Sequence, residues 1–202
     1  MMENKKNIEQ DALFILASAS PRRKYLLEQA GLTFSVIPAP FDESAIPITD
    51  PFDYVRILAE GKAGVIADQY PDQWVIGADT VVVIGENILG KPNSPAQAGD
   101  MLKSLSGQVH QVMTGYCICC RDKKRLFSDT AITKVQFKDL TDKEIQWYVR
   151  TGEAFDKAGA YAIQGLGTFL VKAVNGSYTN VVGLPVCEVI EFLIREGILE
   201  LE

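Results

Sequence analysis

The sequence predicts an α/β fold built on a mixed sheet with flanking helices. Apolar runs of strand length alternate along the chain with segments whose apolar residues recur at helical spacing. Three of the helical segments carry a proline in their first turn, where its missing N–H costs nothing. The 202 residues, 47% hydrophobic and 23% charged, have the size and composition of one folded domain. We therefore predict a single domain over residues 1–202, with residues 1–11 as a flexible N-terminal extension.

The first half of the chain predicts two helices between strands. An apolar run over residues 13–17 predicts the first strand, and a polar loop separates it from a helix over residues 21–30 that ends before glycine. An aspartate followed by proline predicts the start of a second helix, over residues 50–68. Residues 74–84 form a long apolar run that is typical of a buried strand. The sequence GADT, residues 77–80, interrupts this run.

The second half predicts a hairpin among three helices. Thr141 and Glu144 have the spacing of a capping box. In this motif the threonine side chain accepts the backbone N–H of the glutamate, and the glutamate side chain accepts the backbone N–H of the threonine. The predicted elements are a helix over residues 94–107, a β-hairpin or meander over 109–137 that turns near 121–124, a helix over 141–151, a strand over 168–174 and a last helix over 186–196.

Charge and hydropathy exclude several classes of function. The net charge of -6 argues against a large nucleic-acid surface, which is usually basic. No apolar stretch approaches the roughly 20 residues of a membrane span, and residues 1–11 lack the apolar core of a signal peptide. We expect a cytoplasmic protein with neither nucleic acid nor membrane as a partner, either monomeric or a homodimer. An acidic chain still binds a small phosphorylated substrate if its cations converge in one cleft beside a metal ion.

The cysteines and the single histidine do not predict a metal or redox site. Cys117, Cys119 and Cys120 lie in a β-branched and aromatic run, whereas a redox C-x-x-C opens a helix after a strand. A zinc site needs a second pair of ligands, and His110 is the only histidine. We interpret the three cysteines as buried, reduced strand residues, and His110 as a structural residue rather than a base.

Lys62 is a charged residue on an apolar helix face. Val55, Leu58, Ala59 and Ile66 form the apolar stripe of the second helix, and Lys62 falls on the same face. Two interpretations are open: a lysine that extends its ammonium into water at the edge of the core, or a lysine that faces a cleft and holds phosphate.

Asp79 interrupts the apolar run over residues 74–84. Because desolvation of a bare carboxylate is costly, a partner is expected, such as a metal ion, a lysine or backbone donors. The alternative is an aspartate that orders a turn.

Residues 18–24, with the sequence SASPRRK, combine hydroxyls and cations at a helix start. Ser18, Ser20, Arg22 and Arg23, with the exposed amides of the helix, are what an oxyanion of phosphate needs. Positive side chains in a first helical turn oppose the helix dipole unless an anion binds there. The other interpretation is a solvated basic surface.

Taken together, these segments resemble the Maf-like nucleotide pyrophosphatases, once called septum formation inhibitors. The matching stretches cover nearly the whole chain in the order of the family. They are ILASASPRRKYLLEQAGL (15–32), DES (42–44), GADTVVV (77–83), ILGKP (88–92), LSGQVHQVMTG (105–115), DKAGAYAIQG (156–165) and NVVGLP (180–185). The DKAGAYAIQG stretch resembles the branch that hydrolyses dTTP and UTP. The resemblance implies a two-lobed α/β fold with a central active-site cleft, similar in its sheet to inosine triphosphatase.

The resemblance also implies a divalent cation, Mg²⁺ or Mn²⁺, and roles for individual residues. Asp79 corresponds to the proton acceptor, and Glu43 helps to hold the metal and its water, so that both are expected at the metal. The positions that correspond to phosphate-facing or catalytic residues are Ser18, Arg22, Lys62 and Lys91. Those that mark the dTTP/UTP branch are Arg23, Thr80 and Gln164.

The expected reaction is hydrolysis of dTTP, UTP or modified pyrimidine nucleotides to the monophosphate and pyrophosphate, which clears unwanted nucleotides from the pool. The family's older name also implies a link to arrest of cell division. One alternative is a triphosphatase that clears purine nucleotides, against which Gln164 in its branch motif speaks. Another is a non-catalytic regulator of septum formation that senses nucleotides. A sensor would not need the intact set of Glu43, Lys62, Asp79 and Lys91.

Overall fold

A mixed sheet of seven strands forms the centre of the protein in a computed structural model that describes residues 12–200. The predicted α/β class is therefore confirmed, while the predicted extension over residues 1–11 lies outside the described residues. The strands are β1 (Ile15–Leu16), β2 (Ser35–Val36), β3 (Val75–Ile84), β4 (Asn87–Leu89), β5 (Val109–Cys120), β6 (Arg125–Phe137) and β7 (Val171–Asn175).

Helices flank this sheet, and most of them begin where the sequence predicts. They are α1 (Pro21–Gln29), α2 (Pro51–Gln69), α3 (Pro95–Leu105), α4 (Asp142–Arg150), α5 (Tyr178–Val182) and α6 (Val186–Arg195). The side chains of Ser20, Asp50 and Ser94 cap the first three helices, each of which begins with proline. The capping box of Thr141 and Glu144 at α4 is present, as predicted.

The central strand β3 is paired at both ends but open along one edge in the middle. The sheet order is β2-β1-β3-β5-β6-β7, with β1 parallel to β2 and β3 and the other pairs antiparallel. On one edge of β3, β1 pairs with residues 75–76 and β4 with residues 82–84. Between them, Asp79 and Thr80 have a strand neighbour only on the other edge, where β5 pairs with them.

Two apolar clusters lie on either side of that open stretch. The first packs α1 and α6 against β1 and the beginning of β3, and includes Ile76 and Ala78. The second packs α3 and α4 against β5 and β6, and includes Val82. Asp79 and Thr80 therefore lie between the two clusters.

Two glycines let α2 pack directly on the sheet. A Cβ on Gly77 of β3 would lie 2.4 Å from the carbonyl oxygen of Ala59, and one on Gly115 of β5 would lie 2.2 Å from that of Val55. Any side chain at either position would push α2 away from β3 and β5. This close approach sets the distance between Lys62 on α2 and Asp79 on β3.

The predicted strand over residues 168–174 starts too early. Residues Gly165–Leu170 form 3-10 turns, and the strand begins only at Val171. The carboxylate of Glu153 accepts bonds from the backbone N–H groups of Leu166 and Gly167, which holds this segment in turns. Sequence periodicity also missed β2, β4 and α5, which have only two, three and five residues.

The remaining expectations about the chain concern cysteines and membranes. Cys117, Cys119 and Cys120 are buried in β5 as free thiols, as predicted, and Cys187 is free and exposed. Within residues 12–200, no helix is both long enough and apolar enough to cross a membrane.

Candidate active site

Three charged side chains from distant parts of the sequence meet at the open stretch of β3. The Lys62 Nζ lies 2.6 Å from Asp79 Oδ1 and 2.7 Å from Glu43 Oε1. The side chains of Lys62 and Asp79 are each 13% exposed, whereas that of Glu43 is 54% exposed. The predicted site residues Glu43, Lys62 and Asp79 therefore form one cluster, referred to below as the acidic end of the site.

An aromatic ring holds the Glu43 segment against α2. The ring of Phe41 packs on Gly61, where an added Cβ would lie 2.4 Å from the nearest ring carbon. Asp42 caps the short 3-10 turn that follows, because its carboxylate accepts the backbone N–H of Ser44 at 3.0 Å. These contacts place Glu43 next to Lys62, which directly follows Gly61 in α2.

The structure rejects one of the two interpretations of Lys62 and one of the two interpretations of Asp79. The ammonium of Lys62 is bound to two carboxylates and is mostly buried, so the interpretation of a lysine extending into water is wrong. Asp79 lies inside the continuous strand β3, so the interpretation of an aspartate in a turn is also wrong. The buried carboxylate has the expected partner, and that partner is Lys62.

The donor set of the acidic end fits a metal ion that keeps several of its coordination positions open. Glu43 and Asp79 each place one oxygen within hydrogen-bond distance of the same nitrogen, so both carboxylates face one point. Mg²⁺ commonly binds through one or two carboxylates, with phosphate oxygens and waters filling its other positions. Among residues 12–200, no group of three or more His, Cys, Asp or Glu side chains is arranged to hold a metal ion. Two carboxylates alone would leave most positions of such an ion to other ligands.

The second group of predicted residues lies at the start of α1, and its centre is Arg23. The Arg23 guanidinium donates to the carbonyl oxygen of Gly183 at 2.7 Å, and to Ser18 Oγ and Thr80 Oγ1 at 3.1 Å each. Burial lowers the pKa of Arg23 from its ordinary value, while the charge of Asp79 acts in the opposite direction. These residues, Ser18, Arg23 and Thr80, are referred to below as the basic end of the site.

The neighbouring residues Ser20 and Arg22 make different contacts. Ser20 caps α1 by accepting the backbone N–H of Arg23 at 3.4 Å. Arg22 donates through Nη1 to Asp156 Oδ2 at 2.7 Å, and through Nη2 to the Asp156 carbonyl oxygen at 3.2 Å. Arg22 thus already binds an oxyanion, supplied by the loop that follows α4.

Lys91 and Gln164 are not part of either cluster. Lys91 is exposed just after β4, and no ion pair joins it to a carboxylate within the described residues. Gln164 is half-buried and precedes the 3-10 turns of residues 165–170, in the same loop as Asp156. The structure leaves the predicted roles of both residues untested.

Comparison with known proteins assigns the family. A family model described as a Maf-like protein matches residues 13–196. This chain belongs to the Maf-like family. A protein named dTTP/UTP pyrophosphatase from Geobacter sp. (strain M21) is 51% identical over 179 residues, which are 89% of this chain and 93% of that protein. Proteins of the same name from Syntrophus aciditrophicus (strain SB) and Geobacillus sp. (strain WCH70) are 48% and 49% identical over 92% and 91% of this chain, and over 90% and 97% of their own lengths. The resemblance on which the sequence analysis relied is confirmed.

In this Maf-like chain, Tyr54 is a neighbour of the acidic end that the sequence analysis did not single out. Tyr54 lies eight residues before Lys62 on α2, which places it two turns away on the same helix face. It packs against the apolar cluster of Val81 and Val83 on β3. Burial raises the pKa of Tyr54, and so do the negative charges of Asp79 and Glu43. The spacing from Lys62 was the one signal in the sequence that could have identified it.

His110 is a structural residue of the Maf-like fold, as predicted. Its Nε2 lies 2.7 Å from Tyr161 Oη, and its ring packs edge-on against Phe137 and Tyr161. Burial lowers the pKa of His110 to about 4, so that the imidazole is neutral near pH 7. The residue lies within the second apolar region and not at the acidic or the basic end.

Proposed function

We propose that this Maf-like protein hydrolyses dTTP and UTP to the nucleoside monophosphate and pyrophosphate with a divalent cation, Mg²⁺ or Mn²⁺. The observation that carries the proposal is the meeting of Glu43, Lys62 and Asp79 at the open stretch of β3. A phosphoanhydride is hydrolysed when its negative charge is neutralised and a water is delivered in line with the bond that breaks. The relatives named dTTP/UTP pyrophosphatase support the substrate class.

In the proposed reaction, the acidic end carries out the chemistry. A divalent cation bound there would neutralise phosphate charge and lower the pKa of a bound water. Glu43 and Asp79 would hold it, and Asp79 would accept the proton of the attacking water. Lys62 counteracts the repulsion between the two carboxylates, and its ammonium would donate to a phosphate oxygen when the substrate enters.

The basic end would bind the triphosphate. Ser18, the backbone amides at the start of α1 and the unused N–H groups of Arg23 offer donors to phosphate oxygens. Arg22 would exchange the Asp156 carboxylate for a phosphate oxygen, since both are oxyanions of similar geometry. Exposed Lys91, for which no carboxylate partner is present among the described residues, would supply a further charge to the outer phosphates.

Selection of the pyrimidine base would fall to Gln164. A glutamine amide offers two donors and one acceptor, which complement the N3–H and carbonyl edge of uracil or thymine. Gln164 shares a loop with Asp156, and the bond from Arg22 to Asp156 brings that loop to the start of α1. We place the reaction in the cytoplasm, where the free thiols of this chain would stay reduced.

A nucleotide panel tests the proposal. Monophosphate formation is measured by chromatography with dTTP, UTP, CTP, dCTP, ATP and GTP, each with Mg²⁺, with Mn²⁺ and with a chelator. We expect turnover of dTTP and UTP at a kcat/KM at least tenfold above that of the other nucleotides, and none with the chelator. A preference for ATP or GTP would favour a purine triphosphatase, and binding of UTP without turnover would favour a nucleotide sensor.

A further inference from the structure

The basic end contains a half-buried cation whose hydrogen-bond acceptors are all uncharged. The three oxygens that accept from Arg23 belong to a backbone carbonyl and two hydroxyls, in Gly183, Ser18 and Thr80. Within residues 12–200, no Asp or Glu oxygen lies within 4.0 Å of its guanidinium. A guanidinium has five N–H groups, so two remain for a ligand. A partly desolvated cation whose direct acceptors are all neutral still attracts an anion.

A chain of hydroxyls fixes the direction of that guanidinium. Arg23 can only donate hydrogen bonds, so Thr80 Oγ1 is the acceptor in this contact. The hydroxyl of Thr80 must therefore donate its own hydrogen bond to a different acceptor. Thr114 Oγ1 lies 2.9 Å from Thr80 Oγ1, across the β3–β5 pair, whereas the Gly183 carbonyl oxygen is at 3.4 Å and already accepts from Arg23. Thr114 in turn donates to the carbonyl oxygen of Asn180 at 3.2 Å.

We propose that Thr114 is a positioning residue of the basic end. Its fully buried hydroxyl accepts a hydrogen bond from Thr80. This bond orients the Thr80 oxygen towards the Arg23 guanidinium, which donates to it. The guanidinium is thereby fixed in the orientation in which it would bind the phosphates of the substrate. Thr114 is placed one side chain away from Arg23 and contacts the substrate only through Thr80 and Arg23. The kinetic form of this inference rests on the proposed function, because UTP is the substrate in the assay.

The chain offers a matched control in Thr133. Thr133 is also buried and also contacts Asn180, since its Oγ1 accepts from Asn180 Nδ2 at 2.9 Å and donates to the Ser177 carbonyl oxygen at 3.2 Å. It lies on β6 and makes no bond to Thr80. Loss of either hydroxyl disturbs the anchoring of α5, but only loss of the Thr114 hydroxyl disturbs Arg23.

The kinetic test compares Thr114→Val, Thr114→Ser and Thr133→Val with the unchanged protein. For Thr114→Val we expect the KM for UTP to rise about 3- to 10-fold, the factor that corresponds to one lost hydrogen bond, with kcat within about twofold. Thr114→Ser keeps the hydroxyl and should restore the KM. Thr133→Val should lower the melting temperature and leave the KM unchanged. An equal rise of KM in Thr133→Val and Thr114→Val would overturn the inference.

A second measurement does not depend on turnover. The Nη2–H signal of Arg23, from the group that donates to Thr80, is assigned through its loss in Arg23→Lys and followed by proton–nitrogen NMR without nucleotide. We expect its exchange with water to be several-fold faster in Thr114→Val, and in Thr114→Ala if the valine variant does not fold, but not in Thr133→Val. An unchanged signal in Thr114→Val and Thr114→Ala overturns the inference. If the wild type hydrolyses no nucleotide while the signal behaves as expected, the proposed function fails and the role of Thr114 stands.

Discussion

The two ends of the site use charge in opposite ways. At the acidic end, the Lys62 ammonium lies 2.6 Å from the Asp79 carboxylate and 2.7 Å from that of Glu43, and Glu43 is more than half exposed. At the basic end, the half-buried guanidinium of Arg23 donates only to uncharged oxygens, at 2.7 to 3.1 Å. The first end consists of charges in direct ion pairs, and the second consists of a cation that has no direct ion pair within the described residues.

This difference indicates how the work of the site is divided. A partly exposed ion pair contributes little to stability, so the contact between Lys62 and Glu43 can open when a cation and a phosphate arrive. The bonds of Arg23 are partly buried and continue through Thr80 to the fully buried Thr114, so we expect this end to stay in place when the ligand binds. The acidic end therefore rearranges during the reaction, and the basic end provides a fixed position for phosphate.

The largest effect should follow a change at the acidic end. Asp79→Asn keeps the shape of the side chain but removes its basicity and its charge for the metal, so kcat for UTP should fall by a factor of about 10² or more. Binding of an unhydrolysable UTP analogue should survive. Asp68→Asn, on the exposed ion pair with Arg121, is the control and should leave kcat unchanged. An Asp79→Asn enzyme with near wild-type kcat would remove this residue from the mechanism.

A change at the basic end should be smaller and should appear in KM. Arg23→Lys keeps the charge but cannot reach Gly183, Ser18 and Thr80 together, because an ammonium lacks the planar fork of a guanidinium. We expect KM for UTP to rise about tenfold, the effect of one to two lost hydrogen bonds, with kcat less affected. Arg121→Lys serves as the control, since Arg121 is exposed and its side chain bonds to Asp68 and Gly64 of α2, not to β3. A lower kcat with an unchanged KM would contradict the assignment of catalysis to the acidic end and of phosphate binding to the basic end.

The smallest effect should come from Gln164, which belongs to neither end. Gln164→Ala should lower kcat/KM for dTTP and UTP about fivefold, the value of roughly one hydrogen bond, and change CTP and dCTP little. The ratio of kcat/KM for dTTP and UTP to kcat/KM for CTP and dCTP should therefore decrease. Gln146→Ala, an exposed position on α4, is the matched control. An equal loss on all four nucleotides would mean that Gln164 supports the fold, and base selection would have to be sought at Arg23 and Thr80.

The fold was predictable wherever local signals were strong. The helices with proline or a capping box at their start were placed to within a few residues, because capping chemistry acts over one turn. The long hairpin of β5 and β6 was visible as two β-branched runs around a turn. The start of β7 was not, because Glu153, far away in sequence, binds the backbone of residues 166 and 167 and holds them in turns.

The site was only partly predictable for a related reason. Lys62 and Asp79 stood out because each breaks an apolar pattern, and the structure joins them. Thr114 and Asp156 did not stand out, since a threonine in a strand and an aspartate in a loop break no pattern. Their roles depend on contacts across 34 and 134 residues of sequence, which only the folded chain brings together.

The most direct test of the account follows the phosphorus atoms of UTP. With Mg²⁺ and no added pyrophosphatase, phosphorus-31 NMR of the reaction should show the signals of the monophosphate and of pyrophosphate rising together at equal rates. This outcome requires the bond between the α- and β-phosphates to break, as proposed for a water activated at Asp79 and Glu43. Orthophosphate and the nucleoside diphosphate as the first products would place the attack at the outer phosphate and contradict the proposed reaction.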